Sequence, residues 1–278
     1  MLPWIRPDEL ASRLDDPRLR IVDVRFSLAD RDAGRRAFAE GHLPGAVYLD
    51  LEDDLSGPVR PHGGRHPLPD PERLAATLAR AGIGDGDHVV AYDDAANMIA
   101  GRLWWLLRWL GHDAVQVLDG GVAAWRASGG AWTAGVARPD PARFVARPRE
   151  GLTVDRAWLQ AHARDPRVVV VDVRAPERYR GEHEPIDPVG GHVPGAVNRP
   201  FAGHLADGRF LPPTSLAAMY GDLAEADTVV VYCGSGVSAA HGLMALEAAG
   251  VRGAKLYPGS WSDWVSHAGA EVATGSRP

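Results

Sequence analysis

Short apolar runs alternate with longer amphipathic segments along the chain. In the first half, residues 21–24, 89–92 and 115–118 form four-residue, mainly apolar runs of the kind that becomes a buried strand. Residues 70–82 begin with an acidic residue followed by Pro and close on Gly, which predicts a helix. A second helix with a wide apolar surface is predicted over residues 99–110. Strands that alternate with helices indicate a mostly parallel sheet flanked by helices on both faces.

The second half repeats the scheme of the first, with strands predicted at residues 168–171, 229–232 and 254–257. Four blocks of the first half return in the same order in the second: 21–25 as 170–174, 41–47 as 191–197, 89–93 as 229–233, and 118–125 as 257–264. A repeat of about 140 residues is too long for a solenoid and indicates a duplicated domain. We therefore predict two tandem α/β domains at 1–137 and 151–278, joined by a linker at 138–150 that is rich in Pro and charge.

Composition narrows the class of protein. Of the 278 residues, 45% are hydrophobic and 24% charged, and the net charge is −6, which gives no basic footprint for nucleic acid or an anionic membrane. No apolar stretch approaches the roughly 18 residues of a membrane span, and the first ten residues lack the apolar core of a secretory signal. One cysteine excludes an internal disulfide and a multi-cysteine metal site. We expect a cytoplasmic protein without metal or cofactor.

The single cysteine, Cys233, lies directly after a predicted strand and before a glycine-rich turn. Gly234 and Gly236 allow backbone N–H groups to wrap around one point, and a helix predicted over 237–250 directs its positive end there. Such surroundings favour a reactive thiolate. A lone cysteine at a strand end can also be a small buried residue, but the strand, turn and helix together favour the nucleophile.

These features together resemble the tandem-domain rhodaneses, a family that includes thiosulfate and 3-mercaptopyruvate sulfurtransferases. The resemblance covers nearly the whole chain and rests on the paired Asp-x-Arg and Gly-His-x-Pro-Gly-Ala blocks and on a cysteine loop in the second copy only. It implies a non-catalytic first domain, with Asp93 at the cysteine position. It also implies that Cys233 accepts a sulfur atom as a persulfide and passes it to cyanide, a small thiol or thioredoxin. Loop amides would bind the anionic sulfur, and the loop residues concerned are Gly234, Gly236, Val237, Ser238 and Ala239.

Loop composition favours 3-mercaptopyruvate over thiosulfate as the sulfur donor. Members of the family that act on thiosulfate carry basic residues in the loop, whereas residues 233–238 are uncharged here, with Ser238 where the mercaptopyruvate type usually has Thr. Arg178 matches the substrate arginine of the family and is suited to bind a carboxylate. The second arginine of the family is missing from 184–188; Arg180 and Arg199 are candidates to replace it. Thiosulfate remains the alternative donor.

The same resemblance implies a relay of Ser235, His66 and Glu52, with Glu in place of the usual Asp. A histidine can move protons near neutral pH and a carboxylate can orient it. The alternative is that His66 caps a loop and that Glu52 is a solvated member of an acidic stretch.

Residues that recur in both copies are predicted to be structural, since one copy has no cysteine. The recurring residues are Asp23, Arg25, Asp172, Arg174, His42 and His192.

Trp261 and Trp264 are interpreted as packing residues, or alternatively as a wall of the active-site cleft.

The same loop argues against two rival functions. A cysteine phosphatase requires Cys-x5-Arg, but Ala239 stands at the arginine position. A catalytically silent binding module would not need Cys233 and a complete glycine loop. The sequence therefore favours a sulfurtransferase that acts on small molecules.

Overall fold

The computed structural model describes residues 1–135, 139–223 and 226–278, so the predicted end of the first domain at 137 and the start of the linker at 138 lie outside the described residues. The chain divides into two compact units. The first comprises Met1–Gly57 and Pro69–Arg149, and the second comprises Pro58–Leu68 and Glu150–Pro278. The predicted boundaries placed residues 58–68 with the first domain, whereas the structure groups them with the second unit.

The first unit is built on a parallel sheet with the strand order β1-β5-β4-β2-β3. Its strands are β1 (Trp4–Ile5), β2 (Leu19–Asp23), β3 (Val47–Tyr48), β4 (His88–Tyr92) and β5 (Val115–Leu118). Its helices are α1 (Pro7–Ala11), α2 (Ala33–Glu40), α3 (Pro71–Arg80), α4 (Met98–Trp109) and α5 (Gly121–Ala127). The central strands are almost fully buried, which explains their nearly continuous apolar sequence.

The second unit repeats this plan with the parallel order β11-β10-β6-β7 and adds a small antiparallel hairpin, β8-β9. Its strands are β6 (Val168–Asp172), β7 (Ala196–Asn198), β8 (Leu205–Ala206), β9 (Arg209–Phe210), β10 (Thr228–Tyr232) and β11 (Lys255–Leu256). Its helices are α6 (Arg156–His162), α7 (Pro176–Tyr179), α8 (Pro213–Met219), α9 (Ser238–Ala248) and α10 (Ser260–Trp264), with 3₁₀ turns at Phe201–His204 and Gly221–Leu223. The prediction of two α/β units with parallel sheets is confirmed.

Each unit has its own hydrophobic core, and each core contains a fully buried tryptophan. Trp125 is fully buried in the first core, and its indole N–H donates to the carbonyl of Ala131. Trp261 is fully buried in the second core, where Trp264 also lies, and donates to the carbonyl of Val189. The two tryptophans of α10 are therefore packing residues of the second unit.

A buried ion pair lies at the end of β2 in the first unit and at the end of β6 in the second. In the second unit, the Arg174 guanidinium donates to both oxygens of Asp172 and to the carbonyl of Gly191. Asp23 and Arg25 form the same arrangement in the first unit. Because both copies use it, these contacts fit a structural role, in which the arginine fork ties the strand end to the Gly-His-x-Pro block.

None of the described helices is both long and apolar enough to cross a membrane.

Candidate active site

Cys233 follows β10, and the residue is almost completely buried, at 1% exposure. The N–H of Gly236 donates to its Sγ atom at 3.1 Å, and α9 begins two residues later at Ser238. The cysteine loop, residues 233–238, thus brings an amide donor and the positive end of an eleven-residue helix to one sulfur atom. Such surroundings stabilise negative charge on that sulfur.

Other atoms approach both glycines of the loop closely. Gly236 has φ +80°, and a Cβ atom there would lie 2.3 Å from the carbonyl oxygen of Pro258. At Gly234 a Cβ atom would lie 3.0 Å from Nη2 of Arg65 and 3.4 Å from Nη2 of Arg178. The first glycine therefore leaves space for two guanidinium groups, and the second allows the turn itself.

Ser260 also faces the cysteine, and sequence reasoning missed it. Its hydroxyl accepts from the N–H of Cys233 at 3.1 Å and lies 4.0 Å from Sγ. Ser260 has φ +55°, a conformation that favours glycine, and the aligned residue of the first half is Gly121, with φ +53°. The replacement of that glycine by serine in the cysteine-bearing copy was the signal available in the sequence.

The 58–68 segment brings His66 to the cysteine loop. Nδ1 of His66 lies 2.8 Å from the hydroxyl oxygen of Ser235, and both side chains are buried. The segment is fixed by hydrogen bonds from the N–H of Gly63 to Asp263 at 2.7 Å and from the N–H of Arg65 to the Ser262 hydroxyl at 3.2 Å. Two of the three proposed relay residues are therefore in direct contact within the second unit.

Glu52, the third residue of that relay, belongs to the first unit. Its carboxylate lies 3.4 Å from Nε of Arg31, and its backbone N–H donates to Asp50 at 2.8 Å. Its role in orienting His66 stays a prediction.

Arg178, on α7, is embedded among carboxylates. It donates to Glu184 at 2.7 Å and to Asp187 at 3.2 Å, and Asp187 also accepts from Arg65. Burial alone would raise the pKa of Glu184, but the hydrogen bonds from Arg178 and from two backbone N–H groups outweigh it, so that pKa is lowered. The pKa of Asp187 is raised, because its burial outweighs the attraction of Arg65.

The two arginines considered as replacements for the missing one are engaged with other carboxylates. Arg180 pairs with Glu182 at 2.7 Å, and Arg199 pairs with Asp222 at 2.5 Å. Arg65, which sequence reasoning did not consider, joins Arg178 beside Gly234.

In the first unit a carboxylate takes the place of the thiol. The buried Asp93 accepts from the backbone N–H groups of Ala95, Asn97, Ile99 and Ala100 at 2.8–2.9 Å. Burial raises the pKa of Asp93, with these four N–H donors acting against the shift. The Asp93 side chain fills this loop, which carries no thiol.

Within the described residues, no group of three or more His, Cys, Asp or Glu side chains is placed to hold a metal ion.

The fold, the duplication and the cysteine loop define the class of protein. The model of the rhodanese-like domain matches residues 6–128 and again residues 155–267, so the chain belongs to the family of proteins with rhodanese-like domains, in two copies.

The chain is similar to several sulfurtransferases over nearly their whole length. The chain is 48% identical to a Pseudomonas aeruginosa protein named "Probable 3-mercaptopyruvate sulfurtransferase", covering 96% of both chains. It is 32% identical to the thiosulfate sulfurtransferase of Mus musculus, covering 97% of this chain and 92% of the relative. The crystal structure of SseA from Escherichia coli, a 3-mercaptopyruvate sulfotransferase, superposes with a TM-score of 0.84 at 30% identity, covering 94% of this chain and 100% of SseA.

Proposed function

We propose that this protein is a sulfurtransferase that takes a sulfur atom from 3-mercaptopyruvate onto Cys233 and passes it to a thiophilic acceptor. The observation that carries the proposal is the cysteine loop, where the buried Sγ accepts from the Gly236 N–H beside the guanidinium groups of Arg65 and Arg178. The names of the Pseudomonas and Escherichia coli relatives support the same donor.

In the proposed first half-reaction, the Cys233 thiolate attacks the sulfur of the donor. A new S–S bond forms while the C–S bond of mercaptopyruvate breaks, and its electron pair moves to the carbon to give the enolate of pyruvate. The proton of the donor thiol ends on that carbon, so the products are pyruvate and the anionic persulfide of Cys233. The Gly236 N–H and the start of α9 would stabilise this persulfide.

The contact between Ser235 and His66 supports a proton path for this step. The donor thiol loses its proton and the enolate carbon gains one, and a hydroxyl hydrogen-bonded to an imidazole can shuttle a proton between them. We propose Glu52, whose carboxylate lies near Arg31, as the third member of the relay with Ser235 and His66.

In the second half-reaction, the acceptor attacks the outer sulfur of the persulfide and leaves the Cys233 thiolate. Cyanide would become thiocyanate, and a small thiol or a reduced thioredoxin would become a persulfide. We place this reaction in the cytoplasm, where thiol acceptors are kept reduced and a free cysteine such as Cys233 is stable.

Thiosulfate is the second candidate donor, favoured by the guanidinium groups of Arg65 and Arg178 beside Gly234. The name of the mouse relative supports it as well. The uncharged side chains of residues 234–238 are the argument against it, because none of them neutralises a dianion.

The test is steady-state sulfur transfer to cyanide with mercaptopyruvate and thiosulfate in parallel, using Cys233→Ser as the blank. We expect a higher kcat/KM for mercaptopyruvate, complete loss with either donor in the variant, and a mass gain of one sulfur atom on the wild-type chain after donor treatment. Preference for thiosulfate would reverse the donor assignment. Activity that survives in Cys233→Ser would contradict the mechanism, and inactivity with both donors would favour the binding-module alternative.

A further inference from the structure

Helix α10 is joined to the cysteine loop through its backbone. The N–H of Trp261 donates to the carbonyl of Cys233 at 2.9 Å. The next N–H, that of Ser262, donates to the carbonyl of Gly234, also at 2.9 Å. These two hydrogen bonds fix the first turn of the helix against the two residues that begin the loop. The side chains of α10 therefore have a defined position relative to the nucleophile.

The carboxylate of Asp263, on the same helix, binds the 58–68 segment. Its Oδ1 atom accepts from the backbone N–H of Gly63 at 2.7 Å and lies 3.2 Å from Nε2 of His267. Its Oδ2 atom accepts from the hydroxyl of Tyr257 at 2.5 Å. Burial raises the pKa of Tyr257 and the hydrogen bond to Asp263 raises it further, so this hydroxyl keeps its proton and remains a donor. The Asp263 side chain is only 9% exposed, so these donors take the place of water around its charge.

Other contacts show how closely the segment approaches α10 and the residues around it. A Cβ atom at Gly64, where φ is +83°, would lie 2.4 Å from the carbonyl oxygen of Gly259. The ring of His62, an exposed residue, stacks on that of His267 with the centroids 3.9 Å apart. The hydrogen bond to Asp263 is buried and has a charged acceptor, so among these contacts it should stabilise the docked segment most.

We infer that Asp263 is a positioning residue of the proposed reaction, which sets the distance between His66 and Ser235 by holding the backbone at Gly63; this rests on the proposed function. Gly63 lies three residues before His66, whose Nδ1 atom is 2.8 Å from the Ser235 hydroxyl oxygen. Because α10 holds both the cysteine loop and the segment, the two partners of the proton path share one frame. A carboxylate suits this role, since both of its oxygens accept, whereas an amide would turn an NH₂ group towards one of the donors.

The test measures the first half-reaction by itself, as the single-turnover rate of pyruvate release at saturating mercaptopyruvate. We expect Asp263→Asn to lower this rate about 10- to 100-fold, because an error of about 1 Å in the placement of a reacting group can cost this much. In the His66→Gln background the same substitution should lower the rate little further, since no imidazole is left to position. A substitution that only weakened the fold would multiply with His66→Gln.

Limited digestion with trypsin gives a readout that needs no activity, because the peptide bond between Arg65 and His66 lies within the docked segment. We expect Asp263→Asn to raise the rate of cleavage at this bond about 10-fold, the change that the loss of one charged hydrogen bond makes in a local opening equilibrium. Tyr257→Phe is the matched control, since it removes the other hydrogen bond of the carboxylate but not the contact with Gly63. It should keep the wild-type rates of pyruvate release and of cleavage.

Thermal unfolding shows whether each variant is folded. If Asp263→Asn is not, Ser262→Ala takes its place, since it removes the acceptor of the Arg65 N–H and should have a smaller effect of the same kind. Unchanged cleavage in the substituted protein would overturn the inference, and so would a rate loss that multiplies with His66→Gln or appears equally in Tyr257→Phe. A wild-type protein that releases no pyruvate would overturn the proposed function and the positioning role with it, whereas the cleavage rates decide separately whether Asp263 holds the segment.

Discussion

At the scale of single residues, the cysteine loop depends on atoms that the sequence places together and on others that only the fold brings in. Cys233, Gly234 and Gly236 are contiguous, so the strand, the glycine turn and the helix start could be predicted from their order. Arg65 could not, because its position depends on contacts with segments distant in sequence, and the one signal for Ser260 was the replacement of the aligned Gly121 of the first copy. An arginine in a Gly- and Pro-rich loop carries no periodic signal that would show where its side chain points.

Ser235 and His66 are expected to act as one unit in the proposed reaction. Ser235→Ala and His66→Gln should each lower kcat with mercaptopyruvate about 100-fold, and the double variant should be little worse than either single one, because both changes interrupt the same hydrogen bond. The measurement is a double-mutant cycle on kcat at saturating donor. Losses that multiply would contradict the coupling.

A second double-mutant cycle on kcat, which combines Glu52→Gln with His66→Gln, tests the role of Glu52. If Glu52 belongs to the relay as proposed, its loss should not multiply with that of His66→Gln. A fully multiplicative loss, or none, would instead restrict Glu52 to its ion pair with Arg31.

At the scale of secondary structure elements, the buried central strands and the longer helices could be predicted from the sequence, and the shortest elements could not. β2, β4, β6 and β10 lie within two residues of the apolar runs that predicted them, because a strand buried on both faces must be apolar throughout. Helix α3 begins where Asp70 accepts from the N–H of Arg73, an N-cap that the sequence displays. The two-residue strands β8 and β9 have no such pattern, and they exist because tertiary contacts hold them.

A buried histidine pair joins the 3₁₀ turn at Phe201–His204 to α9, the helix that follows the cysteine loop. His204, at the end of the 3₁₀ turn, stacks on His241 of α9 with ring centroids 5.4 Å apart, and His241 stacks on Phe210 at 4.6 Å. The Nε2 atom of His204 is hydrogen-bonded to the Tyr220 hydroxyl. Burial lowers the pKa of His204 to about 4, from 6.5.

The lowered pKa of His204 predicts that the protein loses stability in acid. The folded state disfavours the proton on His204, so its contribution is complete above pH 6.5 and is lost as the pH falls from 6.5 towards about 4. The shift corresponds to about 3 kcal/mol of the free energy of unfolding. Denaturant unfolding measured from pH 7.5 to 4 should show a shallower pH dependence in His204→Gln than in wild type. The exposed His183→Gln is the control and should keep the wild-type slope; an unchanged slope in His204→Gln would refute the assignment.

At the scale of the whole molecule, the duplication could be predicted from the sequence. Which copy is catalytic was predicted from the single position that carries the cysteine. Asp93 aligns with Cys233, and the helix that follows begins five residues later in both copies, at Met98 and Ser238. What the sequence could not show is that the 58–68 segment is grouped with the second unit. Its contacts join residues about 170 to 200 positions apart, such as His66 with Ser235, so no local pattern encodes them.

This difference between the two copies predicts that a cysteine at position 93 will not by itself enable the loop of the first unit to take up sulfur. Asp93→Cys removes the carboxylate that accepts from four backbone N–H groups and should lower the free energy of unfolding by more than about 2 kcal/mol. Sulfur uptake should nevertheless stay at one atom per chain, because Asp94 puts a negative charge where the second loop has Gly234 beside two guanidinium groups. Intact mass after treatment with mercaptopyruvate measures the uptake, and Asp15→Cys controls for an exposed extra thiol. Two sulfur atoms on Asp93→Cys would mean that the fold alone activates a thiol at this position, and that the arginines and the glycine turn of the second copy are dispensable for persulfide formation.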